Sequence, residues 1–166
     1  YVYSEGDVAA SPSLPLEDAL LRIDGPAVVY AHTFALAGNS ASFDMSLPYL
    51  CASGHAVLDG VPKSRSVCGQ GDAKIRLNYN FFGSPAVELR EFATQKKGIV
   101  VGASLQLGLP TGQYDNDKLL NIGANRWYIK PELGMSIPWR KWSFEFAAGV
   151  RFFTNNDDFV GGVQLK

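Results

Sequence analysis

The sequence predicts an all-β fold, a meander of antiparallel amphipathic strands of the kind that closes into a transmembrane β-barrel. Three observations carry that prediction. Side-chain polarity alternates with a period of two along much of the chain, charges keep to one strand face, and the alternating segments are about nine to twelve residues long and end in large aromatics. The stretch "KWSFEFAAGVRFF" at 141 to 153 sets Trp142, Phe144, Phe146, Ala148, Val150 and Phe152 against Ser143, Glu145, Ala147, Gly149 and Arg151.

Four more segments alternate as cleanly. Phe43, Met45, Leu47 and Tyr49 oppose Ser42, Asp44, Ser46 and Pro48. Ala73, Ile75, Leu77, Tyr79 and Phe81 oppose Asp72, Lys74, Arg76, Asn78 and Asn80. Val101, Ala103, Leu105, Leu107 and Leu109 oppose Gly102, Ser104, Gln106 and Gly108. Ile129, Pro131, Leu133, Met135, Ile137 and Trp139 oppose Lys130, Glu132, Gly134 and Ser136. The opening "YVYSEG" reads as the end of a strand, and residues 19 to 36 as a strand disturbed by a bulge or kink at Gly25 and Pro26. That makes seven strands. The turns "AGNS" at 37 to 40 and Pro138 to Lys141 are short, whereas "LDGVPKSRS" at 58 to 66 and "PTGQYDNDKLLNIGAN" at 110 to 125 read as longer connections. Ala86, Leu89 and Ala93 are spaced for a helical turn within Pro85 to Thr94.

A barrel reading assigns the two faces to different solvents. Phe43, Met45, Leu47, Ile75, Leu77, Leu105, Leu107, Leu133, Phe144, Phe146 and Val150 would face lipid, and Asp44, Asp72, Lys74, Arg76, Lys130, Glu132, Glu145 and Arg151 would line the lumen. An Arg or Lys on the lipid face costs ~2–4 kcal/mol at the bilayer midplane, so a barrel exterior demands this separation. Trp127, Trp139, Trp142 and Phe152 stand at strand ends, where interfacial girdles lie. A soluble β-sandwich also alternates, and Pro48 and Pro131 each remove a ladder donor, so pattern alone leaves both architectures open.

Composition narrows the function. The 166 residues are 46% hydrophobic with net charge −1, and 15 Lys and Arg balance 16 Asp and Glu without clustering. No basic stripe is present to gather phosphates, which argues against nucleic acid as a partner. No apolar run approaches the roughly 20 residues of a membrane helix. The chain opens "YVYSEGDVAA" without the pattern of a secretory signal, so compartment must be read from other features.

Chemistry-bearing residues are few. His32 and His55 have no Cys or carboxylate spaced to complete a zinc site. Glu132 and Glu145 could form a glycosidase pair only with a set separation and a raised acid pKa, and Lys130 and Arg151 are at hand to neutralise them. The acidic tips Asp115 and Asp117, and Asp157 and Asp158, do not follow a calcium-loop pattern. The expectation is a protein without catalytic residues, cofactor or metal, whose balanced interior charges brace or line a lumen. If Asp59 and Gly60 form a two-residue turn, Cys51 and Cys68 stand directly opposite. Their parities conflict, and a bulge at residues 69 to 71 would restore the match. An oxidising compartment then permits a disulfide, and without the bulge they are two unpaired thiols.

Several runs carry a resemblance. Leu-Pro-Thr-Gly-Gln-Tyr-Asp at 109 to 115, Asn121-Ile-Gly-Ala-Asn-Arg-Trp127, Lys130-Pro-Glu-Leu-Gly134 and Phe152-Phe-Thr-Asn-Asn-Asp-Asp158, with Leu47-Pro-Tyr49 and Arg90-Glu-Phe-Ala93, are the matched features. With them the chain resembles the outer-membrane β-barrel family of transporters tied to the phenol meta-cleavage degradation pathway. The resemblance implies a Gram-negative outer-membrane location, lipid around the barrel, and passage of small, often apolar or aromatic, molecules. It supplies no catalytic residues. Seven strands ending in "DDFVGGVQLK" are odd in number where closed bacterial barrels are even. The expectation is thus the N-terminal part of a longer barrel, with its oligomeric state open. The alternatives are a plugged or structural barrel, a soluble sandwich, and an outer-membrane hydrolase.

Overall fold

The computed structural model describes residues 1–7, 16–58, 60–87 and 98–159. Its strands are β1 (Val2–Asp7), β2 (Leu16–Gly25), β3 (Ala27–Leu36), β4 (Asn39–Leu58), β5 (Val61–Gln70), β6 (Ala73–Phe82), β7 (Val100–Leu109), β8 (Tyr128–Trp139), β9 (Trp142–Gly149) and β10 (Phe152–Phe153). Every pairing is antiparallel, and the strands form one curled half-barrel sheet. No helix long and apolar enough to cross a membrane is present among the described residues.

The ten strands are seven passes of chain, because three passes are interrupted. β2 and β3 break at Pro26, β5 and β6 at Gly71 and Asp72, and β9 and β10 at Val150 and Arg151. Proline explains two of these breaks. Pro26 has no N–H to give the ladder, although its carbonyl still accepts from Tyr49 N at 2.9 Å. The register is Asp24↔Cys51 before it and Ala27↔Pro48 after it, so no residue is inserted there. The expected bulge at Gly25 and Pro26 is therefore only a break in the ladder, and the true register shift lies between Glu17 and Leu20. Pro131 interrupts the last pass in the same way: Val150 N reaches its carbonyl at 3.2 Å, and regular pairing resumes at Phe152↔Ile129.

The third break is a genuine bulge. Pairing runs Tyr49↔Gln70 on one side and Ser46↔Lys74 on the other, which leaves one extra residue on the β5–β6 pass. It falls at Gly71 and Asp72, at the C-terminal end of the expected range. With that shift Cys51 and Cys68 stand opposite each other and are disulfide-bonded, their Cα atoms 4.0 Å apart. The segment 58 to 66, expected as a longer connection, is instead the first part of β5 and a tight turn from Leu58 to Val61, the two-residue turn on which the Cys51–Cys68 pairing depends. Its sequence alternates no apolar stripe, and pairing with β4 makes it a strand. The helical turn expected from Pro85 extends into residues outside those described, and Pro85 itself is bridged to Asn39.

Pro26, Pro48 and the Gly71 bulge lie side by side on three neighbouring passes and divide the sheet into a wall and an extension. β4 runs through both, and the clean alternation of its wall portion ends on the way. In the wall, Phe43, Met45 and Leu47 share one face and Ser42, Asp44 and Ser46 the other; in the extension, Cys51, Ser53 and His55 continue the first face and Leu50, Ala52 and Ala56 the second.

Burial runs inside out. The buried hydrophobic residues, among those described, are Ala41, Ala52 and Ala73, whereas Val28, Leu133 and Phe146 are 74%, 61% and 57% exposed. The polar face of β8 is half-buried while Ile129, Pro131 and Leu133 on its other face are exposed. A water-soluble domain of this length buries a large apolar core, and an exposed apolar belt on this scale is stable only against an apolar solvent. The barrel architecture, not the sandwich, meets that requirement. Trp139 and Trp142 pair at the tip of the β8–β9 hairpin, where Arg140 takes φ 56°, and the β3–β4 turn is closed by Ala37 and Gly38 at φ 48° and 82°.

Candidate functional site

The site is the concave polar face of the wall. Register aligns its side chains in rows across the strands. Asp44, Arg76, Gln106 and Lys130 form one row, and continuing the β8–β10 register brings Arg151 level with Lys130. One step toward the loop end lie Ser46, Lys74, Gly108, Tyr128 and Phe153; one step toward the short turns lie Ser42, Asn78, Ser104, Glu132 and Gly149. Further down, Glu145 stands opposite Ser136. Asn78, Ser104, Glu132, Gly134, Ser136 and Glu145 line a depression of about 310 Å³, made by the small residues around the two carboxylates.

Hydrogen bonds tie the rows together. Arg76 donates to Gln106 Oε1 at 2.6 Å, and Gln106 Nε2 donates to the Tyr128 hydroxyl. The Tyr128 ring lies across Gly108, whose missing side chain makes the room. Asn78 Nδ2 donates to Ser42 Oγ at 2.8 Å and Asp44 Oδ2 at 2.7 Å. Lys130 and Glu132 pair with each other along β8. Arg151 stacks over Tyr128, its guanidinium carbon 4.7 Å from the ring centre, and Arg126 stands 4.2 Å over Phe153. Burial holds the Arg126 guanidinium below its ordinary value.

The expected partnership of Glu145 and Arg151 with Lys130 and Glu132 is not formed. Lys130 and Glu132 are paired to each other, Arg151 uses aromatic faces, and Glu145 lies four residues of β8 away from Glu132, or ~13 Å at the rise of a strand. Asp72 also departs from its expected place. Its carboxylate accepts from Gly112 N at 2.9 Å and Ala124 N at 2.8 Å, which pins both ends of the 110–127 connection to the bulge. Thr111 Oγ1 accepts from Ala73 N, and Gln113 N donates to Gln70 O, in the same seam. The connection lies over the inner face of the extension. Leu120 meets Gly54, Gln113 fills the space at Gly69, and Asp115 pairs with Arg65 at 3.6 Å.

A second knot joins this connection to residues 154–158. Asn156, 2% exposed, donates to the Tyr114 hydroxyl at 2.9 Å and accepts from Asn125 Nδ2 at 3.0 Å and Asp158 N at 3.2 Å. Thr154 and Trp127 exchange two further bonds. The Gln-Tyr-Asp, Ala-Asn-Arg-Trp and Thr-Asn-Asn-Asp runs thus hold loops together. Asp115 Oδ1 accepts from Asp117 N and its backbone is bracketed by Asn121. No group of three or more His, Cys, Asp or Glu is placed to hold a metal among the described residues. His32 lies on the apolar face, stacked on Phe34 at 6.2 Å, and His55 lies on the extension opposite Ser64.

The sequence pattern sets the charges, Gln106 and Asn78 on the polar face and gives no sign of Tyr128, Arg126 and Phe153 as members of the site. Nothing in the pattern marks Arg126, which reaches the polar face from a loop.

This chain matches, over residues 5–164, the family described as "Putative MetA-pathway of phenol degradation". The chain belongs to that family. No curated protein matches it. Among solved structures it is similar to an outer membrane channel from Pseudomonas putida F1, at 20% identity and a TM-score of 0.66 over 87% of this chain. The likeness establishes a shared barrel fold. The chain spans about half the length of that channel, 49%.

Proposed function

We propose that the chain supplies half of an outer-membrane β-barrel of a Gram-negative bacterium that passes small, often aromatic or apolar, molecules along its polar inner face. The observation that carries this reading is the inside-out burial: an exposed apolar belt surrounds a concave face whose polar side chains leave a depression of about 310 Å³. The apolar residues from Phe43 on β4 to Val150 after β9 then meet lipid. Asp44, Lys74, Arg76, Lys130, Glu132, Glu145 and Arg151 then stand in the lumen, while Asp72 fastens a loop above it. Family membership and the shared fold with a channel support the reading.

A docked 110–127 connection on the inner face narrows the loop-side mouth, and this specific feature favours a plugged barrel as the second reading. Liposome swelling with the complete barrel separates the two. Swelling in small aromatic or sugar solutes supports the channel. Liposomes that hold correctly folded barrel and do not swell in any solute overturn it. Glu145→Gln and Arg151→Gln should change solute preference while leaving insertion intact, since charges near water contribute only ~0–1 kcal/mol to stability.

A further inference from the structure

We infer that the loop end of the polar face holds a binding subsite for aromatic anions, carboxylates or phenolates on a ring, built from Arg126, Arg151, Tyr128 and Phe153. The inference rests on the channel reading only in taking this face as the solute route. Cations and aromatic rings alternate here. Arg151 lies 4.7 Å from the Tyr128 ring centre and 5.9 Å from that of Phe153, and Arg126 lies 4.2 Å from Phe153. The two rings are 5.8 Å apart and tilted by 56°. Because both guanidinium groups stand on one ring, they lie within about 10 Å of one another, a gap that a benzene ring with one carboxylate spans.

The charge around them lacks its counterpart. Glu132 is taken by Lys130 and Asp72 by two backbone N–H groups, and neither Arg126 nor Arg151 has a carboxylate within ion-pairing distance among the described residues. A cluster that only braced the wall would pair its charges. Arg126 Nε is moreover buried without an acceptor among the described residues. A buried charged donor left unpaired costs free energy that an incoming anion would recover. Rings supply a face for stacking as well as the negative quadrupole that steadies the cations, so the same four side chains recognise both halves of an aromatic anion. Toward the short turns the face carries Glu132 and Glu145 instead, so an anion held at the mouth meets no second basic station in the depression below.

The probes are benzoate, acetate and benzyl alcohol, which separate charge from ring. Binding is measured by calorimetry on the complete barrel in detergent, with flux measured on the same protein in liposomes. Benzoate should bind more tightly than either other probe. Arg126→Gln and Arg151→Gln should each weaken it about threefold to thirtyfold, and should weaken benzyl alcohol less, because only benzoate loses a charge partner. Arg151→Lys should retain most of the binding, and Phe153→Leu should weaken benzoate but not acetate. Heat-shifted gel migration checks that each variant is folded, and Arg151→Lys keeps the test open if a Gln variant is not. The inference falls if benzoate binds no better than acetate and benzyl alcohol, or if both Gln variants bind it like the parent. A barrel that binds benzoate selectively and passes no solute overturns the channel and leaves the subsite standing.

Discussion

Placing an arginine at Leu105 tests the two-solvent description most directly. Leu105 is 39% exposed on the apolar face, in register with Leu77 and Pro131, and stands near the middle of the ten-residue β7. Ten residues at a tilt of ~40° rise about 25 Å, so under the proposed reading the middle of the strand falls near the bilayer midplane. Leu105→Arg should then cost ~2–4 kcal/mol, and Leu109→Arg, at the loop end of the same strand, ~0–1 kcal/mol. The control on the opposite face is Ser104→Arg, next in sequence and lining the depression. Gln106 is a poor control despite its parity, because it is 8% exposed and held by Arg76 and Tyr128. The assay is denaturant-dependent folding of the complete barrel into lipid vesicles, followed by tryptophan fluorescence. Equal costs for Ser104→Arg and Leu105→Arg, or for Leu109→Arg and Leu105→Arg, would refute the assignment of the faces.

Other perturbations address single features. Asp72→Ala removes two charge-assisted acceptors and should loosen the 110–127 connection by about 1–3 kcal/mol, read as faster amide exchange at Gly112 and Ala124; unchanged exchange would show that the loop is held elsewhere. Replacing Cys51 and Cys68 by Ser opens a link across 17 residues, worth at most about 3 kcal/mol in the chain-entropy view. Its effect should be confined to exchange in the extension, and loss of barrel insertion would contradict the division of the sheet. The Tyr3 phenol, hydrogen-bonded to the Glu5 carboxylate, is held above its ordinary 10.0. Its neutral form is favoured by the fold, so that small contribution is complete below the ordinary value and is lost as pH rises through the raised one. An ultraviolet titration of Glu5→Gln should bring the transition down, and an unmoved transition would discount the contact.

Much of the wall was legible in the sequence because a strand records its two solvents in alternate residues. The five clean segments became β4, β6, β7, β8 and the β9–β10 pass, with Asp44, Arg76, Lys130 and Glu132 on one face as their parity requires. The period of two is a property of the isolated strand, and needs no knowledge of its neighbours. Residues 58 to 66 read as a connection because neither face of that stretch is distinctly apolar, and only pairing with β4 settles it. Tertiary structure likewise decided the fate of individual charges. Asp72 and Lys74 share a parity in the sequence, yet a one-residue bulge and a returning loop turn Asp72 into an anchor. Arg126 is a loop residue by every local sign and reaches the polar face because residues 154–158 pull its loop down. Local pattern fixes which solvent each strand face meets, since that is a matter of side-chain polarity alone. Which charges meet each other depends on register and loop return, and those are set by contacts between residues tens of positions apart.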